Sequence, residues 1–177
     1  GGRPLEELGR LSAIAFDKTG TLTEGRPTLT HAIPFGTISK THLLKVAIAV
    51  ETLSDHPLAT AIVEGGKKEL GNIDIPAAEN LKALIARGIQ ANWNGCLVHI
   101  GNRRLFEELT GKKIPQEMNL KMSELESGGH TSMIIHQDDT YLGIISVMDI
   151  ARPEAITTLS TLKKMGIKRM IMLTGDN

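Results

Sequence analysis

A short, mostly apolar run, Leu11-Ser12-Ala13-Ile14-Ala15-Phe16, leads directly into Asp17-Lys18-Thr19-Gly20-Thr21-Leu22-Thr23. No other junction constrains the chain as strongly. The run reads as a buried strand of a parallel sheet. Open α/β sheets hold their ligands at the carboxyl ends of their strands, so Asp17 stands where a ligand would lie. The small and hydroxylated residues behind it offer backbone N–H groups and hydroxyls that can surround a phosphate. A carboxylate fixed there can attack phosphorus and form an aspartyl-phosphate. An isolated Asp would be no more than the start of a polar turn; the seven-residue string behind an apolar strand is what changes the reading.

A second string of the same kind closes the chain. Lys168 to Leu173 reads as a strand running into Thr174-Gly175-Asp176-Asn177. A hydroxyl and a backbone N–H at a strand end can hold the oxygens of a transferring phosphoryl group beside Asp17. Alone, this tetrapeptide would be a common turn.

The 177 residues are enough for one ordinary domain or two small ones. Twenty basic and twenty acidic residues cancel, so bulk charge points to no nucleic-acid or membrane-surface partner. A single cysteine, Cys96, excludes an internal disulfide and a cysteine-based metal cluster, and suggests a reducing compartment. Cys96 itself reads as a small strand residue. No stretch approaches the roughly 20 apolar residues that span a bilayer, and no signal peptide is visible.

Between the two strings the pattern changes. Leu5 to Leu8 could form a helical turn, Glu24 to Pro27 reads as a turn by composition, and Thr28 to Ile33 is β-prone. A helix is expected over Ser39 to Leu53, capped by Ser39 or Thr41. A second is expected from Pro57 to about Leu70, with Gly71 ending it. His56 then stands at a helix N-terminus, where free N–H groups favour an anion; a capping or solvated role is its plainer reading. Ala78 to Ile100 reads as two or three antiparallel strands, with Asn94-Gly95 as a hairpin turn. Trp93 is read as a core or hairpin-face residue. Gly101-Asn102 starts a helix from Arg103 to Leu109, with Asn102 as cap. A further helix covers Gln116 to Glu126. Thr131 to His136 and Tyr141 to Val147 form a hairpin whose turn is Asp138-Asp139. His130 and His136 read as surface residues, and no cluster of histidines is evident. Pro153 opens a helix that ends at Gly166.

The Asp17 string resembles the phosphorylation motif of P-type ATPases, the ion pumps that form an aspartyl-phosphate. Related haloacid-dehalogenase-like phosphatases carry a second Asp two positions after the nucleophile as general acid and base. Here that position is Thr19, which cannot act so near pH 7, and this favours a persistent phosphoenzyme. Thr174 to Asn177 resembles a second motif of the same pumps, and Asp149 with Arg152 resembles the hinge motif between two of their domains. In heavy-metal P-type ATPases a Ser-Glu-His-Pro-Leu segment carries a His that positions ATP, with a Glu five residues earlier. Ser54-Asp55-His56-Pro57-Leu58 and Glu51 are similar to it, with Asp55 in place of Glu. A plain helix-surface carboxylate is the alternative for Glu51. Ala86-Arg87-Gly88-Ile89 resembles the family's Gly-x-Gly-(Val/Ile) turn near the nucleotide but departs from it at Ala86, which suits the turn if its φ is negative. Without the resemblance, Gly88 is a hairpin residue. Gly101-Asn102 is similar to a pair placed beside ATP.

The resemblance covers the whole chain and implies an α/β fold. Residues 1–27 and 149–177 would form an incomplete haloacid-dehalogenase-like (Rossmann-like) phosphorylation domain. Residues 28–148 would form an inserted α+β nucleotide-binding domain, an antiparallel sheet flanked by helices. The resemblance implies ATP held by Glu51, His56, Gly88, Ile89, Gly101, Asn102 and Arg152. It implies Mg²⁺ between the Asp17 carboxylate and the Thr19 carbonyl, and Thr19, Thr174 and Gly175 steadying the phosphoryl group. It implies a cytoplasmic segment of a membrane pump for heavy-metal cations, whose membrane and actuator domains lie elsewhere. The later Lys and Gly-Asp-Gly-x-Asn-Asp segment of the family would follow Asn177, so ATP binding with little phosphorylation is expected of this chain alone. Leu8-Gly9-Arg10-Leu11 running into Ala13 to Asp17 looks like the zinc/cadmium/cobalt branch; the copper branch is the alternative. Two rivals are a free-standing phosphatase of the superfamily, which Thr19 opposes, and an interaction module without nucleotide, which Ala86 alone supports.

Overall fold

The computed structural model describes residues 12–71 and 73–173. The chain separates into two compact units, residues 1–26 with 149–177 and residues 27–148.

In the first unit, β1 (Ala13–Asp17) pairs in parallel with β8 (Arg169–Leu173). A single π-helical turn, Lys18–Leu22, follows β1. Helix α5 (Pro153–Lys164) starts at a proline, whose missing N–H and fixed φ suit the first helical position. The expected turn at Leu5 to Leu8 lies outside the described residues.

The second unit is built on a six-stranded sheet in the order β2-β7-β6-β5-β4-β3. Its strands are β2 (Thr23–Pro34), β3 (Glu79–Leu84), β4 (Gly88–Trp93), β5 (Cys96–Gly101), β6 (Thr131–Gln137) and β7 (Thr140–Ala151). The pairs from β3 to β7 are antiparallel. Residues 24–27 are not the turn that their glycine and proline suggest; they are part of β2. β2 is an edge strand, and an edge tolerates a proline that cannot donate to the ladder.

Alternation along the strands divides the core. Ala91, Trp93, Val98, Ile100, Ile135 and Val147 face helices α1 (Lys40–Glu51) and α2 (Pro57–Leu70). Ile134 and Ile144 face α3 (Arg103–Thr110) and α4 (Gln116–Ser127), which contribute Leu105, Phe106, Met118, Met122 and Leu125. The sheet is thus covered on both faces, and its strands are correspondingly apolar on both. Each helix start is signalled locally. Ser39 Oγ accepts the His42 N–H at 3.1 Å, His56 Nδ1 accepts the Leu58 N–H at 3.2 Å, and Asn102 Oδ1 accepts the Leu105 N–H at 3.1 Å. Gly71 and Gly111 end α2 and α3 with positive φ.

Trp93 is buried, and its indole N–H donates to the Pro76 carbonyl at 2.8 Å. The histidines differ from the sequence expectation. His99 and His136 are buried cross-strand partners with ring centroids 6.3 Å apart. They lie on the α3/α4 face, where His136 packs against Phe106 and Tyr141. Their Nδ1 atoms have no hydrogen-bond partner among the described residues, and burial lowers the pKa of both. His31 and His130 also meet, with centroids 5.1 Å apart and both Nδ1 atoms on the Thr30 hydroxyl.

Candidate functional site

Asp17 is the last residue of β1, in register with Leu173, the last of β8. Two parallel strands therefore end side by side at the carboxylate, where α/β sheets place ligands. Asp17 is exposed, and among the described residues no hydrogen bond engages its carboxylate. Thr174 and Gly175, read as phosphoryl-holding, lie outside the described residues, as does the side chain of Thr19.

The turn behind Asp17 is fixed by residues from the other end of the chain. Thr23 Oγ1 accepts the Gly20 N–H at 3.1 Å and donates to Asp149 Oδ2 at 2.5 Å. A hydroxyl has one proton, so this short charge-assisted bond takes it in preference to the Lys18 carbonyl at 3.2 Å. The other oxygen of Asp149 accepts the Arg26 N–H at 3.0 Å. Arg152 donates from Nε to the Thr23 carbonyl at 2.9 Å and from Nη2 to the Gly20 carbonyl at 3.2 Å. Its guanidinium, read from sequence as nucleotide-binding, is here engaged with the backbone that follows the nucleophile candidate.

In the second unit the candidates form two groups. Glu51 closes α1. It is 5% exposed, and desolvation pushes its carboxyl pKa up from 4.5 to about 7. Among the described residues no hydrogen bond compensates it, and a helix C-terminus disfavours a carboxylate. This excludes the plain surface carboxylate that sequence left open. A buried, unpaired acid costs stability at neutral pH, and such groups concentrate in functional sites. His56 is exposed at the start of α2. Its Nδ1 caps the helix, as the plainer reading had it, and no hydrogen bond engages Nε2 among the described residues.

The second group is the Gly88–Gly101 pair. These residues face each other at the ends of β4 and β5. A Cβ on Gly88 would collide with the Ile100 carbonyl and lie 2.6 Å from Gly101 Cα; one on Gly101 would collide with the Arg87 carbonyl. Both glycines are therefore required by close backbone approach. Ile89 is half-buried against the α1/α2 core, and Asn102 ties the pair to the preceding turn through Nδ2 to the Ala86 carbonyl at 3.1 Å. Ala86 does not have the negative φ expected of an alanine; its φ is 55°. The Arg87 N–H bonds the Leu84 carbonyl at 2.9 Å. Ala86 is thus the third residue of a turn that demands positive φ there, which is why glycine suits that position. For an L-residue that conformation costs about 1–2 kcal/mol.

The two groups sit on elements that pack together, since α1 lies against β4 and β5. No hydrogen bond joins them among the described residues. A cavity of about 560 Å³ lined by Pro76, Ala77, Glu79, Asn92, Asn94 and Gly95 holds none of the candidates. Two arrangements carried no local sequence signal: the His99–His136 pair, which needs the β5–β6 register, and an ion pair between Arg87 and Glu108.

Comparison with known proteins gives the family and the relatives of the chain. The family model of haloacid dehalogenase-like hydrolases matches residues 11–177. A probable cadmium-transporting ATPase of Staphylococcus aureus is 40% identical over 178 residues, covering 100% of this chain and 24% of the relative. A zinc/cadmium/lead-transporting P-type ATPase of Escherichia coli is 41% identical over 177 residues, covering 100% and 23%. The solved structure of a zinc-transporting PIB-type ATPase in the E2.Pi state superposes with a TM-score of 0.70 at 42% identity, covering 100% of this chain and 28% of that one. The chain spans about a quarter of the length of these relatives. The motif resemblance to heavy-metal P-type ATPases and the mixed α/β class are both borne out.

Proposed function

The chain belongs to the haloacid dehalogenase-like hydrolase family, and from that premise we propose that it is the ATP-binding and phosphorylation segment of a heavy-metal-transporting P-type ATPase. Zinc, cadmium or cobalt is the cargo of the whole pump. The observation that carries the reading is Asp17 at paired strand ends, free of hydrogen bonds among the described residues, with its turn held by Asp149 and Arg152. The relatives named above supply the transport class.

In this reading residues 27–148 bind ATP and the other unit carries the nucleophile. An Asp17 oxygen attacks the γ-phosphorus, the bond from phosphorus to the bridging oxygen breaks, and ADP leaves. Threonine at position 19 supplies no general base, so water attacks the acyl phosphate slowly. Asp17 Oδ and the Thr19 carbonyl are hard oxygen donors of the kind Mg²⁺ takes together with phosphate oxygens. When bound, the ion neutralises charge on the transferring group. Thr19, Thr174 and Gly175 bind the phosphoryl oxygens. Glu51 and His56, with Gly88, Ile89, Gly101 and Asn102, hold the nucleotide. A Glu51 carboxyl that keeps its proton near neutrality can donate to a base nitrogen, and His56, whose Nδ1 accepts the Leu58 N–H, can donate from Nε2. Arg152 acts by fixing the carbonyls of Gly20 and Thr23. The membrane and actuator domains belong to the whole pump, and this segment is its cytoplasmic part.

Titration of the ¹⁵N-labelled chain with ATP tests the nucleotide site. Saturable amide shifts at Glu51, His56, Gly88 and Gly101, lost in His56→Ala, are expected. No shift at millimolar ATP would refute autonomous binding by this chain.

A further inference from the structure

The turn before Gly88 is held by the side chains of Arg87 and Asn102 and, through Arg87, by Glu108 on α3. Ala86, with its positive φ, has its carbonyl bound twice, by Arg87 Nη1 and by Asn102 Nδ2, each at 3.1 Å. Arg87 then reaches α3. Its Nε donates to Glu108 Oε2 at 2.9 Å and its Nη2 to Glu108 Oε1 at 2.8 Å. Arg104 Nε adds a third contact to the same carboxylate at 3.3 Å. The Asn102 N–H donates to the Arg87 carbonyl at 2.9 Å. A bidentate guanidinium–carboxylate pair fixes orientation as well as distance, and here one end of the pair is the turn and the other is a helix.

We propose that Arg87 and Glu108 are positioning residues for the nucleotide: they hold Ala86 in left-handed backbone, so that Gly88 and Gly101 present their backbone before the ligand arrives. This rests on the reading of the Gly88–Gly101 edge as part of the nucleotide site. Two features separate positioning from direct contact. Arg87 already directs donors at Glu108 and at the Ala86 carbonyl, and its positive charge faces a carboxylate. Direct phosphate binding would have to break that pair.

The size of the effect follows from the backbone. An L-residue disfavours the left-handed region by a factor of about five or more. If the competent turn becomes the minor form, the apparent Kd rises by the inverse of its population. Arg87→Lys keeps the charge but loses the fork, and Glu108→Gln keeps the shape but loses the ion pair. Each is expected to weaken ATP binding about fivefold, with the double variant no weaker than either single one. Ala86→Gly placed in the Arg87→Lys background removes the need for the strap and restores Kd to within about twofold.

The experiment is calorimetric titration of the 177-residue chain and these variants with ATP, alongside amide spectra of the unliganded proteins. Exchange broadening over Ile85 to Gly88 in Arg87→Lys, and its loss on adding Ala86→Gly, is the signature of a positioning role. If the unaltered chain binds ATP and both single variants match its Kd, the proposal fails while the nucleotide reading stands. Tighter binding by Glu108→Gln would make Arg87 a direct phosphate ligand and also overturn it. Absence of ATP binding by the unaltered chain overturns the nucleotide reading first, and this one with it.

Discussion

Replacing Glu51 by glutamine should make residues 27–148 more stable, and more so as pH rises. The carboxyl is 5% exposed at the end of α1, and its pKa is raised by desolvation from 4.5 to about 7. Between those values the unfolded chain has released its proton and the folded chain keeps it. Folded protein binds more protons, so stability falls as pH rises through this window. Below pH 4.5 both states are protonated and there is no penalty. Above pH 7 both are ionised and the penalty is complete, about 3 kcal/mol at about 1.4 kcal/mol per pH unit. The glutamine side chain is neutral throughout. Urea unfolding can be followed by the fluorescence of the single tryptophan, Trp93, which is buried in the same unit. The difference between Glu51→Gln and the unaltered chain should grow from near zero at pH 4.5 to about 3 kcal/mol at pH 8. Effects of the amide that do not depend on pH cancel in this slope. A difference that stays flat from pH 5 to pH 8 would refute the argument that burial governs this acid.

The same unfolding assay reaches other features. His99 and His136 have lowered pKa values, so the folded unit prefers them neutral. In the Glu51→Gln background, where the opposing carboxyl is gone, their contribution to stability should be complete above about pH 6.5 and decline below it. His136→Phe, which suits a site beside Phe106 and Tyr141, should flatten that acid limb, and an unchanged limb would exclude the pair as its source. Gly88→Ala forces backbone apart at the β4–β5 edge and should cost at least about 3 kcal/mol in urea; a cost under about 1 kcal/mol would mean the edge relaxes. Asp149→Asn weakens the bonds to Thr23 and Arg26 by about 1–2 kcal/mol. The expected result is faster amide exchange at Gly20 and Arg26, with protection of the 27–148 core unchanged.

Local chemistry explains which parts of this structure could be read from sequence. Caps at Ser39, His56 and Asn102, the Asn94-Gly95 turn and the glycines after α2 and α3 act within a few residues, and the sequence carries them plainly. The turn read at Glu24 to Pro27 failed because glycine and proline report a local preference, whereas the strand is made by its neighbour β7 and tolerated by its edge position. His99 and His136 stand 37 residues apart, and only the β5–β6 register joins them. The site was legible by motif more than by physics. Nothing local says that Glu51 is buried, or that Ala86 would adopt a glycine's backbone; both follow from packing and from bonds made by Asn102 and Glu108.

The position of the second unit within the sequence has a consequence for synthesis. β1 cannot find its partner until β8 has been made, and Ala13 pairs with Arg169. Residues 27–148 are complete 21 residues before Arg169 is added, and their two ends meet, with Thr28 Oγ1 at 3.5 Å from the Met148 carbonyl. A folding order follows in which the insert forms first on the ribosome and then acts as a closed stitch. The loop that β1 and β8 must close shrinks from about 156 residues to about 34, which lowers its entropic cost by about 1 kcal/mol. Translation order and strand order thereby favour the same outcome: the unit that carries Asp17 assembles after the insert has formed.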